Sequence, residues 1–167
     1  VAIKDMPKQD PAKAKEYLAK SKYASGGIEL YYVSVQGLEE ERKVGLVLLD
    51  ALKPLGIKVN VVAMTWPNMT AKAEKMETSP AMMAVFATPV STDPDAVAYQ
   101  YAKESWGKYY GSHYLNDPEL DKMIDQARSV ADWSKRAPIY AKIQQRIVDD
   151  QPEVFGMLAK RRCARRD

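Results

Sequence analysis

The sequence predicts an α/β protein, a sheet with helices packed against it. Three observations carry this reading. Short runs rich in β-branched and aromatic residues alternate with longer segments of helical spacing. Asp-Pro pairs, which start helices, recur at Asp10-Pro11, Asp93-Pro94 and Asp117-Pro118. An unbroken apolar run, Met82 to Ala87, ends in a polar loop that leads straight into a helix start. Open α/β sheets bind ligands at such places, beyond the carboxyl ends of their strands, so this loop is taken as the functional edge.

The elements follow in chain order. Asp10 caps a first helix whose apolar face is Ala14, Tyr17 and Leu18, and Gly26-Gly27 ends that unit. Ile28 to Val35 is β-branched and aromatic and predicts a strand. Glu39, Glu40 and Glu41 favour the positive end of a helix dipole. The helix they open runs to about Lys53. Val44, Leu46, Val47, Leu48, Leu49 and Leu52 make it apolar over most of its circumference, so deep packing is expected. Ile57 to Ala63 alternates and predicts a second strand. Trp66-Pro67 opens a shorter helix through about Met76, which Thr78-Ser79-Pro80 breaks.

The third strand is Met82 to Ala87. Pro89 stops it, and Asp93-Pro94 starts a helix reaching roughly Glu104. Ser105 to Tyr114, rich in glycine and aromatics, predicts an ordered loop. After Asp117-Pro118, Leu120, Met123, Ile124 and Ala127 recur at helical spacing. Asp132 to Ser134 breaks and restarts the helix, and Tyr140, Ile143 and Ile147 define another, ending near Pro152. Glu153 to Leu158 is expected as a final strand.

Composition narrows the function classes. The 167 residues suffice for one domain with a core, and 46% apolar with 28% charged content is ordinary for a soluble globular chain. No apolar stretch approaches the roughly 20 residues of a membrane span. Val1 is not preceded by methionine or an apolar leader, so a mature or excised segment is the expectation. The net charge of +3 is concentrated in the last eight residues, Lys160 to Asp167, with five basic groups and one acid. The remaining body is nearly neutral, which argues against general nucleic-acid affinity. Cys163 is the single cysteine and excludes an internal disulfide or a Cys-cluster metal site. His113 is the single histidine. There is no G-x-S-x-G, H-E-x-x-H or phosphate-cradling G-x-x-x-x-G-K pattern. Catalytic and metal-binding residues are therefore expected to be absent, and no cofactor is implied.

DPAKAKEYLAKSKY, a strand, a long apolar helix, LKPLGIKVNV, a variable helix, a strand ending in a DPD loop, HYLNDPELDKMIDQA and RAPIYAKIQQRIVDDQPEV occur in that order. Together they resemble the extracytoplasmic solute-binding proteins of peptide- and nickel-type ABC importers, solute-binding family 5, over roughly Asp10 to Leu158. The resemblance implies an α/β fold with a mixed sheet flanked by helices, one lobe of a type II-like two-lobed periplasmic binding protein. The chain then reads as a single C-terminal lobe, residues 1–167, with a core over 10–158 and a basic tail over 159–167. The implied role is capture of a peptide-like or sugar-like solute in the periplasm or outside the cell, and delivery to the membrane permease of an ABC transporter. The missing first lobe would be a partner; no reaction is catalysed and no nucleic acid is bound. A small α/β enzyme with an unrecognised active site, and a nucleic-acid module using the basic tail, are the alternatives.

Candidate ligand-binding residues cluster at the predicted edge: Trp66, just beyond the second strand, and Thr88, Val90, Ser91, Thr92 and Asp93 in the loop after the third. The hydroxyls offer hydrogen bonds. Asp93 is both a natural helix cap and a possible ligand contact. Relatives often carry an aspartate, three residues before the Asp-Pro pair, that meets a peptide's ammonium group; here that position is Val90. Trp106, Tyr109 and Tyr110 form a second aromatic group, read as packing or as a clamp.

Overall fold

The computed structural model describes residues 8–84, 91–108 and 111–154. The central strand is β1 (Glu29–Val35). It pairs in parallel with β2 (Lys58–Met64) from Glu29 opposite Lys58 to Val35 opposite Met64, and with β3 (Met82–Met83) at Tyr32 and Val33. The order is β2-β1-β3. The three expected strands are thus adjacent, and all are parallel. An antiparallel member, which a mixed sheet requires, is not among the described residues, and most of the expected final strand lies outside them. So do residues 85–87 of the expected third strand.

α1 (Pro11–Ala19) starts as the Asp10-Pro11 pair predicts, with the Asp10 carboxylate accepting the Lys13 N–H at 2.9 Å. Its expected apolar face covers little: Ala14 and Leu18 are half-buried and Tyr17 is exposed.

α2 (Glu39–Leu52) packs on β1 and β2. Its two fully buried residues are polar or small, Glu41 and Gly45. Glu41 is only 2% exposed, and its carboxylate accepts the Val35 N–H at 2.8 Å. The Tyr32 hydroxyl donates to the Glu41 carbonyl at 2.6 Å. Burial pushes the Glu41 carboxyl above the usual range, an effect the Val35 N–H partly offsets. One turn on, Gly45 lies so close to the Tyr32 ring that a Cβ there would collide with it. The expectation of deep packing all round α2 is therefore corrected. Leu46 and Val47 are 40% and 66% exposed, and Leu48 and Leu49 are half-buried. The sheet covers one side of the helix, and no described element covers the other.

α3 (Trp66–Ala73) returns across the opposite face of β1 and buries Met69. It stops three residues short of the expected Met76, and hydroxyls of later residues take two of its terminal carbonyls. The helix expected from Pro94 to Glu104 is also interrupted. α4 (Asp95–Ala98) gives way to a 3-10 turn over Tyr99–Tyr101, and Ala102 is extended at ψ 145° before a second turn over Lys103–Ser105. Two polar contacts fix the break. Asp121 accepts the Lys103 N–H at 2.9 Å, and the Ser105 hydroxyl donates to the Gln100 and Ala102 carbonyls.

α5 (Pro118–Ser129) and α6 (Trp133–Asp150) form an antiparallel-capable pair whose apolar stripes match the predicted ones. Leu120, Ile124, Ala127, Tyr140, Ile143 and Ile147 join Ala98, Tyr101 and Ala102 in the largest buried apolar cluster. The main core thus lies between helices beside the sheet rather than on the sheet itself.

Gly45→Ala tests the α2–sheet contact. Overpacking of about 1–3 kcal/mol outweighs the roughly 1 kcal/mol gained in helix propensity. Urea denaturation should therefore show a net loss of stability. A variant as stable as the parent would mean that α2 does not approach Tyr32 this closely.

Candidate functional site

The parallel strands all deliver their carboxyl ends to one edge of the sheet, where the first of three features lies. Directly after β2, Thr65 leads to Trp66, the first residue of α3 and 38% exposed. Trp66, Met69 and Ala73 of α3 line a cleft of about 200 Å³ with Met83 of β3 and with Gly107 and Lys108. Met69, 2% exposed, is its floor.

The far wall is held in place by its fit to α3. Gly107 has a left-handed φ of 71°, and a Cβ there would meet the Glu74 carbonyl. The Tyr114 hydroxyl donates to the Ala73 carbonyl at 2.6 Å. The Tyr114 hydroxyl thus satisfies one terminal carbonyl of α3, as the Thr78 hydroxyl does that of Lys72 at 2.7 Å. Trp106 donates its indole N–H to the Leu115 carbonyl at 3.0 Å and packs edge-on against Tyr114. Of the second aromatic group, Trp106 is therefore engaged in packing; Tyr109 and Tyr110 lie outside the described residues. The Lys108 ammonium donates to the Tyr99 hydroxyl at 2.9 Å and lies over that ring.

The second feature is the loop before α4. Ser91 and Thr92 are exposed, and the Ser91 hydroxyl accepts the Asp93 N–H at 3.1 Å. Asp93 accepts the Asp95 N–H at 2.8 Å. Its two oxygens also accept from Arg136 of α6, at 2.8 and 3.0 Å, a bidentate pair. That hydrogen bonding holds the Asp93 carboxyl below the usual carboxylate range. Arg136 also donates to the Tyr140 hydroxyl at 2.9 Å. Thr88 and Val90 lie outside the described residues. Trp66 thus lines the cleft with Met83, whereas Ser91, Thr92 and Asp93 are not among the cleft's walls, and Asp93 is tied to α6.

The third feature is a repeat of this device. Asp117 caps α5 by accepting the Glu119 and Leu120 N–H groups at 3.1 and 3.2 Å. Arg146 of α6 grips the same carboxylate from two of its nitrogens, one at 2.9 Å. The Asp117 carboxyl is lowered, chiefly by Arg146. Arg128 of α5 ties Asp95 and Glu104 together at 2.9 and 2.5 Å. The expected cap at Asp117 is present, whereas at α4 Pro94 holds the cap position without a side-chain bond and Asp93 only turns the chain before it; the arginines that grip both aspartates are marked by no local pattern. Sequence reasoning also missed Met69, Met83 and Lys108 as cleft walls.

His113 stacks on Tyr101 with ring centroids 4.8 Å apart and planes 6° from parallel. Burial lowers its pKa, and among the described residues no group of three or more His, Cys, Asp or Glu is placed to hold a metal. Among the same residues no helix is long and apolar enough to cross a membrane.

The sequence model of bacterial extracellular solute-binding proteins, family 5 middle, matches residues 2–109. The chain is similar to the glutathione-binding protein GsiB of Pectobacterium atrosepticum, 25% identical over 151 residues, covering 87% of this chain and 29% of the relative. It is 28% identical over 132 residues to the oligopeptide-binding protein AppA of Bacillus subtilis, covering 72% and 22%. Among solved structures it resembles HbpA2 from Haemophilus parasuis, with a TM-score of 0.78, 17% identity and coverage of 89% and 30%. It also resembles DppA from Helicobacter pylori, solved with the peptide STSA, at 0.74 and 22%, covering 86% and 28%. The chain spans less than a third of the length of each of these relatives.

The capping pairs predict a pH dependence. A carboxylate whose folded pKa is lowered contributes stability that is present above its ordinary value and lost as pH falls through the lowered one. The parent's urea midpoint should therefore drop in acid, below about pH 4, and Asp117→Asn should flatten that drop. At neutral pH, Asp117→Ala should cost ~1–2 kcal/mol through loss of the cap. It should couple to Arg146→Met in a double-mutant cycle. Additive single effects would show that the pair does not act as a unit.

Proposed function

We propose that this chain, which belongs to the family 5 bacterial extracellular solute-binding proteins, forms one lobe of a two-lobed clamp. The clamp captures a peptide or similar solute outside the cytoplasm and delivers it to the permease of an ABC importer. The observation that carries this reading is the position of the cleft. It opens at the carboxyl edge of a parallel sheet, between the residues that follow β2 and those that end β3. Trp66 presents a partly exposed indole there, and the hydroxyl-bearing loop of Ser91 and Thr92 follows the same strand edge. Such a surface supplies one half of a binding site; the other half comes from a first lobe.

Binding without chemistry fits the side chains present. Asp93 is held by Arg136, Asp117 by Arg146, and His113 is packed against Tyr101. Among the described residues none of these three side chains is hydrogen-bonded to a Ser, Thr or Cys side chain, as an acid–base set requires. The envelope location, the permease and the solute class follow from family membership rather than from any contact within the chain.

On this reading Asp93 positions the loop through Arg136, and Thr88, Val90, Ser91 and Thr92 are the residues assigned to solute contact. Val90 stands where relatives often place an anionic anchor, so a ligand without a free ammonium at that point is favoured. In the protein carrying both lobes, Val90→Asp should strengthen binding of peptides with a free N-terminus by ~1–3 kcal/mol. Binding of the N-acetylated peptide should not improve. Calorimetric titration of both peptides checks this, and equal changes for the two would remove Val90 from the anchor position.

The chain by itself should bind no solute tightly. A clamp buries most of its ligand's surface between two walls, and one wall alone lacks closure. Micromolar affinity of the isolated chain for a peptide would contradict the clamp.

A further inference from the structure

We infer that the cleft between α3, β3 and the Gly107–Lys108 turn receives one aromatic ring of the solute. This rests on the solute-binding reading and specifies the part of the ligand that this lobe holds. Size is the first argument. A cleft of about 200 Å³ is on the scale of the roughly 150 Å³ apolar cavity that takes up benzene. It is too small for a whole peptide.

Chemistry is the second argument. The indole of Trp66, the thioethers of Met69 and Met83 and the methyl of Ala73 make an apolar lining. Thioether sulfur and an indole both interact favourably with an aromatic ring beyond simple burial. The polar groups at the rim are already committed elsewhere. The Thr70 hydroxyl lies against the Trp66 and Pro67 carbonyls at 3.2 and 3.0 Å, so its proton is used within the helix. The Lys108 ammonium is held at the Tyr99 hydroxyl and ring. The exception is Glu74, an exposed carboxylate in the lining; one acceptor at the mouth does not make the several converging donors and acceptors that a sugar needs.

Rigidity is the third argument. Gly107 touches the Glu74 carbonyl with no room for a Cβ, and Tyr114 is bonded to Ala73. The wall that faces Met69 and Met83 is therefore fixed to α3.

Methyl NMR of the chain labelled with ¹³C at its methionine methyls tests the inference. N-acetylphenylalanine amide, added to millimolar concentration, should shift the Met69 and Met83 signals saturably. N-acetylserine amide should leave them in place, and the exposed Met76 methyl should respond to neither probe. Ala73→Leu, which fills the slot, should abolish the shifts while the Met76 signal and the melting curve stay as in the parent. The inference is overturned by no saturable shift, by equal shifts with the serine amide, or by a general response that includes Met76. It is also overturned if Phe86→Ala alone moves both cleft methyls and then admits the probe, because the chain's own ring would be the occupant. In the two-lobed protein, Ala73→Leu should weaken a phenylalanine-containing peptide about tenfold and spare its alanine counterpart. Equal loss for both peptides refutes the aromatic slot and leaves solute binding standing. Failure of the two-lobed parent to bind any peptide or other solute refutes the solute-binding reading itself, even with the methyl shifts present.

Discussion

Two arginines of one helix hold the starts of two others. Arg136 and Arg146 of α6 each grip an aspartate that already accepts backbone N–H groups at a helix start, Asp93 in the turn before α4 and Asp117 as the cap of α5. The carboxylate meets backbone N–H groups on one side and a guanidinium on the other, so both sets of donors are satisfied by one anion. The surrounding groups are partly exposed, so solvent screening keeps the strength of each pair modest. Their importance is geometric. They set where α4 and α5 begin relative to α6, and the apolar cluster of Leu120, Ile124, Tyr140 and Ile143 fills the space this leaves. The Arg136 contact also fixes one end of the loop at Ser91–Asp93.

The sheet side of the molecule solves a different problem. α2 must cross a narrow sheet at close range, and Gly45 allows this by giving way to the Tyr32 ring. Glu41 then returns its carboxylate to the end of β1 at Val35, where the strand leaves the ladder. A buried acid with a raised pKa is tolerated because its carboxylate accepts the Val35 N–H, while the Tyr32 hydroxyl satisfies the same residue's backbone carbonyl. The outer side of α2 keeps Leu46 and Val47 exposed. Nothing on that face identifies what covers it.

What could be read from the sequence was local. β1 and β2 are legible in IELYYVSV and IKVNVVA, and the Asp-Pro pairs at residues 10, 93 and 117 mark helix starts to within a residue or two. The stripes of α5 and α6 are visible at helical spacing. The misreadings share one cause, the weight of tertiary contacts. The run Val44 to Leu52 resembles a buried helix, yet the side that packs is set by Gly45 and Glu41. The interruption at Ala102 depends on Asp121 and Ser105, and Tyr114 takes a terminal carbonyl of α3; all three are distant in sequence or unmarked by pattern. Of the candidate site, Trp66 was legible because a strand end precedes it. Its neighbours Met69 and Met83 were not, because a methionine in a helix or strand looks the same in a core as in a cleft.

Through Arg136 and Arg146, α6 sets where α4 and α5 begin. Native-state hydrogen exchange measures this most directly, at the capped amides of Asp95, Glu119 and Leu120. In the parent these amides should exchange slowly, close to the rate of the α5–α6 core. Arg136→Leu should accelerate Asp95 alone, and Arg146→Leu should accelerate Glu119 and Leu120 alone, with the β1 amides unchanged. Unaltered protection at all three sites in both variants would contradict the claim, because the caps would then hold without their arginines.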